Sequence, residues 1–233
     1  MRTEAETRQG VKLDLTDCPL EYSATKMQLP DAQAKAVQDF EKKCIQRKYK
    51  NEHLLMLDEN GNVLTETKGG SGNVSADVAA FRAASITTHL HPRPDGRALL
   101  GGTFSVGDFE MWTHPVLAGA GAKIERVVSN EGVYTFKRGE NFDIDAFVDA
   151  YGDVERKLHA EYMEKRYRLV DETHEIGRRF SNGEITRKEM DDELNKINLR
   201  DNANFNVELV GLHNALLDMQ DQFDYEYGLE GWD

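Results

Sequence analysis

Two histidines at the end of a predicted β-strand constrain the fold of this chain more than any other feature. The segment Ser85–Leu90 carries a β-branched run, which predicts a strand, and Pro92 predicts its end because proline cannot donate a ladder hydrogen bond. His89 and His91 are two residues apart, and side chains at that spacing on a strand project from the same face. The chain is therefore expected to bring two imidazoles to one point at the end of a strand.

The next polar pattern, Ser105-Val106-Gly107-Asp108, predicts the start of a helix. Serine is a favoured N-cap, and an acidic residue three positions later is close to a capping box. Asp108 has a second interpretation, because a carboxylate in the first turn can face outward and join His89 and His91 as a third metal ligand. Two imidazole nitrogens, one carboxylate oxygen and an open fourth position describe a catalytic zinc site rather than a structural one. The two interpretations are compatible.

The segments on either side of these motifs predict an α/β (α+β) fold. Hydrophobic periodicity and turn signals predict the following elements: a helix over Ala32–Lys48 behind Asp31 as N-cap, a hairpin over 50–67 turning at Asn60-Gly61, a short helix over Ala76–Ala84 capped by Ser75, and a second hairpin from Lys123–Val128 and Gly132–Phe136. Cys44 lies on the apolar stripe of the first helix, so we expect it to be buried. These elements define a domain over residues 31–139.

The two ends of the chain have different character. Residues 1–30 form an N-terminal arm in which Val11, Leu13 and Leu15 alternate with polar residues, so the arm either contains an edge strand or is partly ordered. Residues 140–233 form a helical region, with helices expected over Ile144–Phe180, Thr186–Leu199 and Phe205–Phe223 and a break at Gly152. Their apolar stripes need a covering surface, and a homo-oligomer formed through these helices is one way to provide it. The aromatic tail either packs Trp232 on the domain or docks on a partner.

Composition excludes several classes of function. A formal net charge of −13 argues against general nucleic-acid binding. The two cysteines, Cys18 and Cys44, lie far apart, which argues against a disulfide framework and a cysteine-based zinc site. The sequence has no run of about 18 apolar residues and no signal peptide at its start, so we expect no membrane association and a cytoplasmic location.

Glu52 gives the two motifs a further meaning. Alone, it is a strand-end carboxylate at the start of the first hairpin. Together, Glu52, His89-Leu90-His91-Pro92 and Ser105-Val106-Gly107-Asp108 resemble the motif of the JAMM (JAB1/MPN/Mov34) metalloproteases, which is a Glu on an early strand, His-x-His-Pro and Ser-x-x-Asp. The resemblance covers residues 48–138 and is greatest to JAB-type domains of bacterial and phage proteins, which are related to RadC.

The resemblance implies a fold and a set of roles. The fold would be a JAB/MPN-like mixed β-sheet flanked by helices, and one Zn²⁺ per chain would be bound by His89, His91 and Asp108. Glu52 would be the general base that takes a proton from zinc-bound water, and Ser105 would donate a hydrogen bond to the oxyanion. The activity implied is that of a zinc metalloprotease, a peptidase or isopeptidase that cleaves a protein or peptide substrate, with a ubiquitin-like protein as one candidate.

Several alternatives stay open from sequence alone. The chain can be a non-catalytic JAB-fold scaffold, RadC-like or phage-associated, or a hydrolase of a non-peptide amide. Thirteen residues separate His91 from Ser105, more than the family pattern usually has. The extra loop, Arg93–Gly102, either presents Arg93 and Arg97 to an acidic substrate or C-terminal tail, or is a solvated insertion. His114 is either close to the metal or a surface residue, and we expect the remaining histidines to be surface or half-buried: His53, His159, His174 and His213.

Overall fold

The structure is a computed structural model, and it describes residues 4–6, 12–14, 20–47, 49–71, 73–92, 102–115 and 121–232, with residues 4–6 and 12–14 described as backbone only. Its strands are β1 (Glu4–Glu6), β2 (Lys12–Asp14), β3 (His53–Leu57), β4 (Val63–Lys68), β5 (Ile86–Leu90), β6 (Ile124–Val128), β7 (Gly132–Arg138) and β8 (Tyr225–Gly231). Its helices are α1 (Asp31–Arg47), α2 (Val78–Ala83), α3 (Val106–Thr113), α4 (Ile144–Ser181), α5 (Arg187–Asp218) and α6 (Gln220–Phe223).

Six of the strands form one mixed sheet in the order β4-β3-β5-β6-β7-β8. Neighbouring strands are antiparallel except β5 and β6, which are parallel. The register places Leu54 opposite His89 on β5, and Thr87 opposite Glu125 on β6. Because paired residues share a face of the sheet, these four side chains lie on the same side. The predicted mixed α/β fold is confirmed.

The opposite face of the sheet packs against α1. Val37, Phe40 and Cys44 form the buried stripe of this helix and contact Leu55 and Ile86 on the sheet. Cys44 is fully buried, as its position on the stripe predicts. The helix predicted over Ala32–Lys48 is confirmed, although it already begins at Asp31.

The short helix α2 has a different cap from the predicted one. The side chain of Asp77, not Ser75, accepts a hydrogen bond from the backbone N–H of Ala80. An N-cap side chain reaches the N–H two or three residues later, and the helix begins at Val78, so only the residue immediately before it satisfies this geometry.

The C-terminal region contains two long helices where the sequence predicted three. The predicted helix Thr186–Leu199 and most of the predicted helix Phe205–Phe223 are joined as α5, which is 32 residues long, and the last residues of the latter form α6. The linking segment, residues 200–204, is rich in Asp and Asn but contains neither Gly nor Pro, so it disfavours a helix only weakly. Tyr162 on α4 donates a hydrogen bond to Asp201 and packs against Phe205, and this tertiary contact outweighs the weak local preference.

The break predicted at Gly152 is also wrong, because α4 continues through it for 38 residues. A Cβ atom at Gly152 would lie 3.4 Å from a methyl carbon of Val106. Gly152 therefore lies where α4 packs beside the first residue of α3. It does not terminate the helix.

The acidic, aromatic tail forms the last strand of the sheet. β8 pairs with β7 along its whole length, from Tyr225 opposite Arg138 to Gly231 opposite Gly132. Trp232 donates a hydrogen bond from Nε1 to the carbonyl of Asn130 at 2.9 Å, so it packs on the sheet domain. The backbone N–H of Gly139 also donates to the carbonyl of Asp224 at 2.8 Å. The chain thus leaves the sheet for the long helices and returns to it at the same place.

The main core lies between the sheet and the helices α3, α4 and α5. Its centre is a cluster of aromatic rings contributed by the sheet and by these helices: Phe104, Phe109, Trp112, Phe136, Phe147, Tyr151 and Tyr225. Near the N-terminus, β1 and β2 form a separate two-stranded sheet, and Leu13 lies in one of its strands. This agrees with one of the two predictions for the arm, that it contains a strand. Val11 and Leu15 lie outside the described residues. Within the described part of the chain, no helix is long and apolar enough to cross a lipid bilayer.

Candidate metal centre

Three predicted metal ligands meet where β5 ends and α3 begins. His89 is the fourth residue of β5, and His91 follows the strand, held in its line by a hydrogen bond from its backbone N–H to the carbonyl of Val128 on β6. Asp108 is the third residue of α3. The two imidazoles therefore share one face, as the spacing predicts, and the helix start delivers the carboxylate to them.

The distances fit a small divalent ion. His89 Nε2 lies 3.0 Å from His91 Nε2 and 3.2 Å from Asp108 Oδ1, and His91 Nε2 lies 3.9 Å from Asp108 Oδ2. Ligand atoms about 2.0–2.1 Å from a tetrahedral zinc ion are separated by about 3.3 Å. One ligand atom from each residue can be chosen so that all lie within 4.8 Å of one another. The three residues together can hold a metal ion.

Asp108 is oriented by the residue that precedes its helix. Its Oδ2 accepts hydrogen bonds from Ser105 N at 2.7 Å and from Ser105 Oγ at 2.9 Å, which leaves Oδ1 directed at His89. The carboxylate thus caps the helix start and faces the histidines at the same time. Both interpretations of the Ser-x-x-Asp pattern therefore describe the structure.

The ligands also perturb the pKa of one another. Burial favours the neutral form of the Asp108 carboxyl, but the charge of His89, its hydrogen bond and the charge of His91 outweigh burial and hold the pKa of Asp108 well below its usual value. For His89, burial lowers the pKa, but the Asp108, Glu125 and Glu52 carboxylates together raise it by more, so the net shift is upward. Without metal, the pair therefore favours a protonated His89 beside an ionised Asp108.

Glu52 lines the same cavity as the three ligands. It precedes β3 and is held there by two backbone hydrogen bonds, its N–H donating to Gly70 and its carbonyl accepting from Gly69. Its side chain is buried, and burial raises the pKa of its carboxyl, an effect that His89 opposes and Asp108 reinforces. The structure thus brings together all five predicted residues: Glu52, His89, His91, Ser105 and Asp108.

The cavity is about 650 Å³ in volume and has a second buried carboxylate that sequence reasoning missed. Glu125 on β6 is 5% exposed and lines the cavity beside Thr87. Burial raises the pKa of Glu125 to about 7, although His89 lowers it. A usable signal exists in the sequence, because the short strand Ile124–Val128 has two charged residues, Glu125 and Arg126, where a strand in the middle of a sheet is normally apolar.

Phe205 on α5 also lines the cavity, so the helical C-terminal region contributes to the site. No local pattern points to this residue, because its place at the site depends on the packing of α5 against α4. His114 is exposed at the end of α3 and does not line the cavity. Most of the predicted Arg93–Gly102 loop, including Arg93 and Arg97, lies outside the described residues.

A buried hydrogen-bond network supports the chain just before Ser105. Thr103 Oγ1 lies 2.7 Å from the hydroxyl of Tyr227, which lies 2.8 Å from Nδ1 of His213. His213 Nε2 lies 2.9 Å from the carbonyl of Glu21. The prediction of a surface or half-buried position for His213 is therefore wrong, because this helix residue is fully buried where α5 faces the sheet. The network connects the segment that carries Ser105 to both α5 and β8.

No protein-family model, no curated protein and no solved structure matches this chain. The resemblance to the JAMM motif therefore rests on Glu52, the two histidines, Ser105 and Asp108 alone.

Proposed function

We propose that this chain is a zinc-dependent metalloprotease of the JAMM type, which cleaves an amide bond in a protein or peptide substrate. The observation that carries the proposal is the convergence of His89, His91 and Asp108 in a cavity that Glu52 also lines. A set of two imidazoles and one carboxylate is typical of catalytic zinc sites, which leave one coordination position open. The proposed cofactor is one Zn²⁺ per chain.

The residues around the ligands fit the steps of amide hydrolysis. When bound, zinc supplies a Lewis acid and lowers the pKa of water to about 7. Glu52 can accept a proton from the attacking water and deliver it to the leaving amine, because a carboxylate with a raised pKa is suited to both transfers. Burial of Glu52 therefore serves the reaction as well as the fold.

Ser105 has two tasks in this proposal. Its hydroxyl donates to Asp108 in the structure, and a hydroxyl has only one proton to donate. The Asp108 carboxylate keeps a second donor, the backbone N–H of Ser105, when the hydroxyl rotates. Rotation toward the substrate would let Ser105 stabilise the oxyanion, an interaction worth about 3 kcal/mol in other hydrolases.

The proposed substrate is a protein or peptide, with a ubiquitin-like isopeptide as one form of it. The cavity has apolar lining residues, including Leu54, Met56 and Phe205, which can hold side chains on either side of the scissile bond. The proposed location is the cytoplasm, in line with a chain that has only two cysteines in 233 residues.

Metal analysis and cleavage assays test the proposal together. The purified chain should contain one equivalent of zinc, and it should cleave fusions that carry a ubiquitin-like protein. Glu52→Gln keeps the shape of the side chain but removes the base, so it should retain zinc and lose at least about 100-fold in kcat.

Glu59→Gln is the matched control, because Glu59 is an exposed carboxylate on the turn between β3 and β4. It should retain both zinc and activity. A wild-type chain that binds no zinc would refute the proposal. Zinc binding without cleavage of any protein or peptide would favour the non-catalytic scaffold that the sequence left open.

A further inference from the structure

The floor of the cavity contains a carboxylate that the proposed hydrolysis does not use. Glu125 and Thr87 are paired in the register of β6 and β5, and they are 5% and 3% exposed. Both line the cavity that holds the metal ligands. They lie on the same face of the sheet as His89. Thr87 is two residues before His89 on β5, so the pair lies further from the end of that strand.

Thr87 lacks the partner that a buried hydroxyl normally has, and the strongest influence that favours the charged form of Glu125 comes from His89, a proposed metal ligand. Thr87 is close enough to Glu125 to lower the pKa of its carboxyl, yet Thr87 Oγ1 is buried and makes no hydrogen bond of normal geometry with the described residues. No ion pair joins Glu125 to a cation in the described part of the chain. Arg138 influences the pKa of Glu125 through its charge, but its guanidinium donates to the carbonyls of Gly121 and Ala122. A buried carboxylate that no salt bridge neutralises is costly, which leaves Glu125 able to bind a cationic group of a ligand.

The charges along the cavity define what that partner is. Among its described lining residues, three are carboxylates, Glu52, Asp108 and Glu125, and none is lysine or arginine. An anionic group beside Glu125 and Thr87 would meet the like charge of Glu125 at close range, because the positive charge of this cavity belongs to the metal centre. A cationic group would instead gain a charge-assisted hydrogen bond to Glu125 and a second one to the Thr87 hydroxyl.

We infer that Glu125 and Thr87 form a subsite for a primary ammonium group, such as that of a lysine side chain close to the scissile amide. The inference rests on the proposed function in that it assigns this group to the substrate. Leu54 and Met56, on the same face of the neighbouring strand, also line the cavity and can pack against the aliphatic part of a lysine side chain. The subsite thus selects a lysine side chain in two ways: Glu125 binds its ammonium group, and Leu54 and Met56 contact its aliphatic part.

A binding experiment on the zinc-loaded full chain tests this without requiring turnover. The probes are Nα-acetyl-lysine methylamide and Nα-acetyl-norleucine methylamide, which share an aliphatic stem but differ in the ammonium group. Methyl NMR of labelled methionine reports binding, because Met56 and Met111 both line the cavity. The lysine probe should bind at least about tenfold more tightly than the norleucine probe, since a hydrogen bond to a charged group is worth about that much.

Two variants assign the discrimination to the subsite. Glu125→Gln should reduce the preference for the lysine probe to about twofold or less while the chain retains zinc. Thr87→Val removes a hydroxyl that makes no hydrogen bond of normal geometry, so the fold should be preserved and the preference should fall about threefold. Glu59→Gln, the exposed control, should leave the preference unchanged.

Three results would overturn the inference. The first is equal binding of the two probes to the wild-type chain, and the second is binding of neither. The third is a Glu125→Gln variant that still prefers the lysine probe but loses zinc, which would assign Glu125 to holding His89 instead. Because the readout is binding, selective capture of the lysine probe by a chain that cleaves nothing would refute the hydrolase proposal and leave this subsite in place.

Discussion

His213 should make the stability of this protein fall steeply in mild acid. Burial lowers the pKa of this imidazole to about 4, even though its hydrogen bond with the Glu21 carbonyl acts in the opposite direction. In the unfolded chain its pKa is about 6.5. A histidine with a depressed folded-state pKa contributes its full stability above pH 6.5, and this stability is lost as the pH falls from about 6.5 to about 4. Between pH 7 and pH 4.5, the loss from this one group is about 2 kcal/mol.

The assay is urea denaturation of the metal-free chain at pH 7 and pH 4.5, for wild type and for His213→Gln. The variant should be less stable at pH 7 by about 1–3 kcal/mol, because Gln replaces the hydrogen bonds to Tyr227 and Glu21 imperfectly. Since Gln does not titrate, this difference should shrink by about 2 kcal/mol at pH 4.5. Other groups that titrate in this range act in both proteins, so they cancel.

His174→Gln is the control, because His174 is exposed on α4. It should follow the wild type at both pH values within about 0.5 kcal/mol. If the free energies of unfolding of wild type and His213→Gln change in parallel between the two pH values, the argument from burial is refuted.

Three further predictions concern the metal and the fold. Zinc binding at pH 6 should release a proton, because burial lowers the pKa of His89 but Asp108, Glu125 and Glu52 together raise it above its ordinary value. Calorimetry in two buffers of different ionisation enthalpy counts that proton, and a zinc affinity that does not change with pH in mild acid would contradict the prediction. Leu229→Ala on β8 should cost about 2–5 kcal/mol in urea denaturation because Leu229 is fully buried, whereas Leu199→Ala, at a residue 69% exposed, should change stability by less than about 0.5 kcal/mol. A chain ending at residue 139 should show no cooperative thermal transition, because Phe136 would lose its contacts with Phe147 and Tyr225. A sharp transition would instead show that residues 31–139 fold alone.

Local sequence signals were sufficient for the elements that carry the metal ligands. The spacing of His89 and His91, the proline after them and the Ser-x-x-Asp pattern each act over a few residues, and backbone geometry at that scale is set by sterics and nearby hydrogen bonds. Those residues alone therefore placed the ligands on a strand end and a helix start. The bound metal, the hydrolysis and a homo-oligomer through the C-terminal helices stay predictions.

The features that the sequence did not predict depend on contacts between distant segments. The sequence did not predict the pairing of β8 with β7, for two reasons. Aromatic residues are the strongest strand signal in the tail, and its partner strand lies far away along the chain. The continuity of α5 depends on contacts of Tyr162 with Asp201 and Phe205 on the neighbouring helix. Glu125 and Phe205 likewise reach the cavity only through the register of the sheet and the packing of the helices.

The hydrogen bond between Gly139 and Asp224 joins the two ends of the helical arm, the segment that contains α4 and α5. With 38 residues, α4 is about 57 Å long. Both ends of this arm are fixed at one place on the sheet. Equal numbers of helical turns added to or removed from α4 and α5, where the two helices meet, would therefore change the length of the arm without moving Ser105, Asp108 or β8. The length of the helical arm can thus change without altering the metal centre.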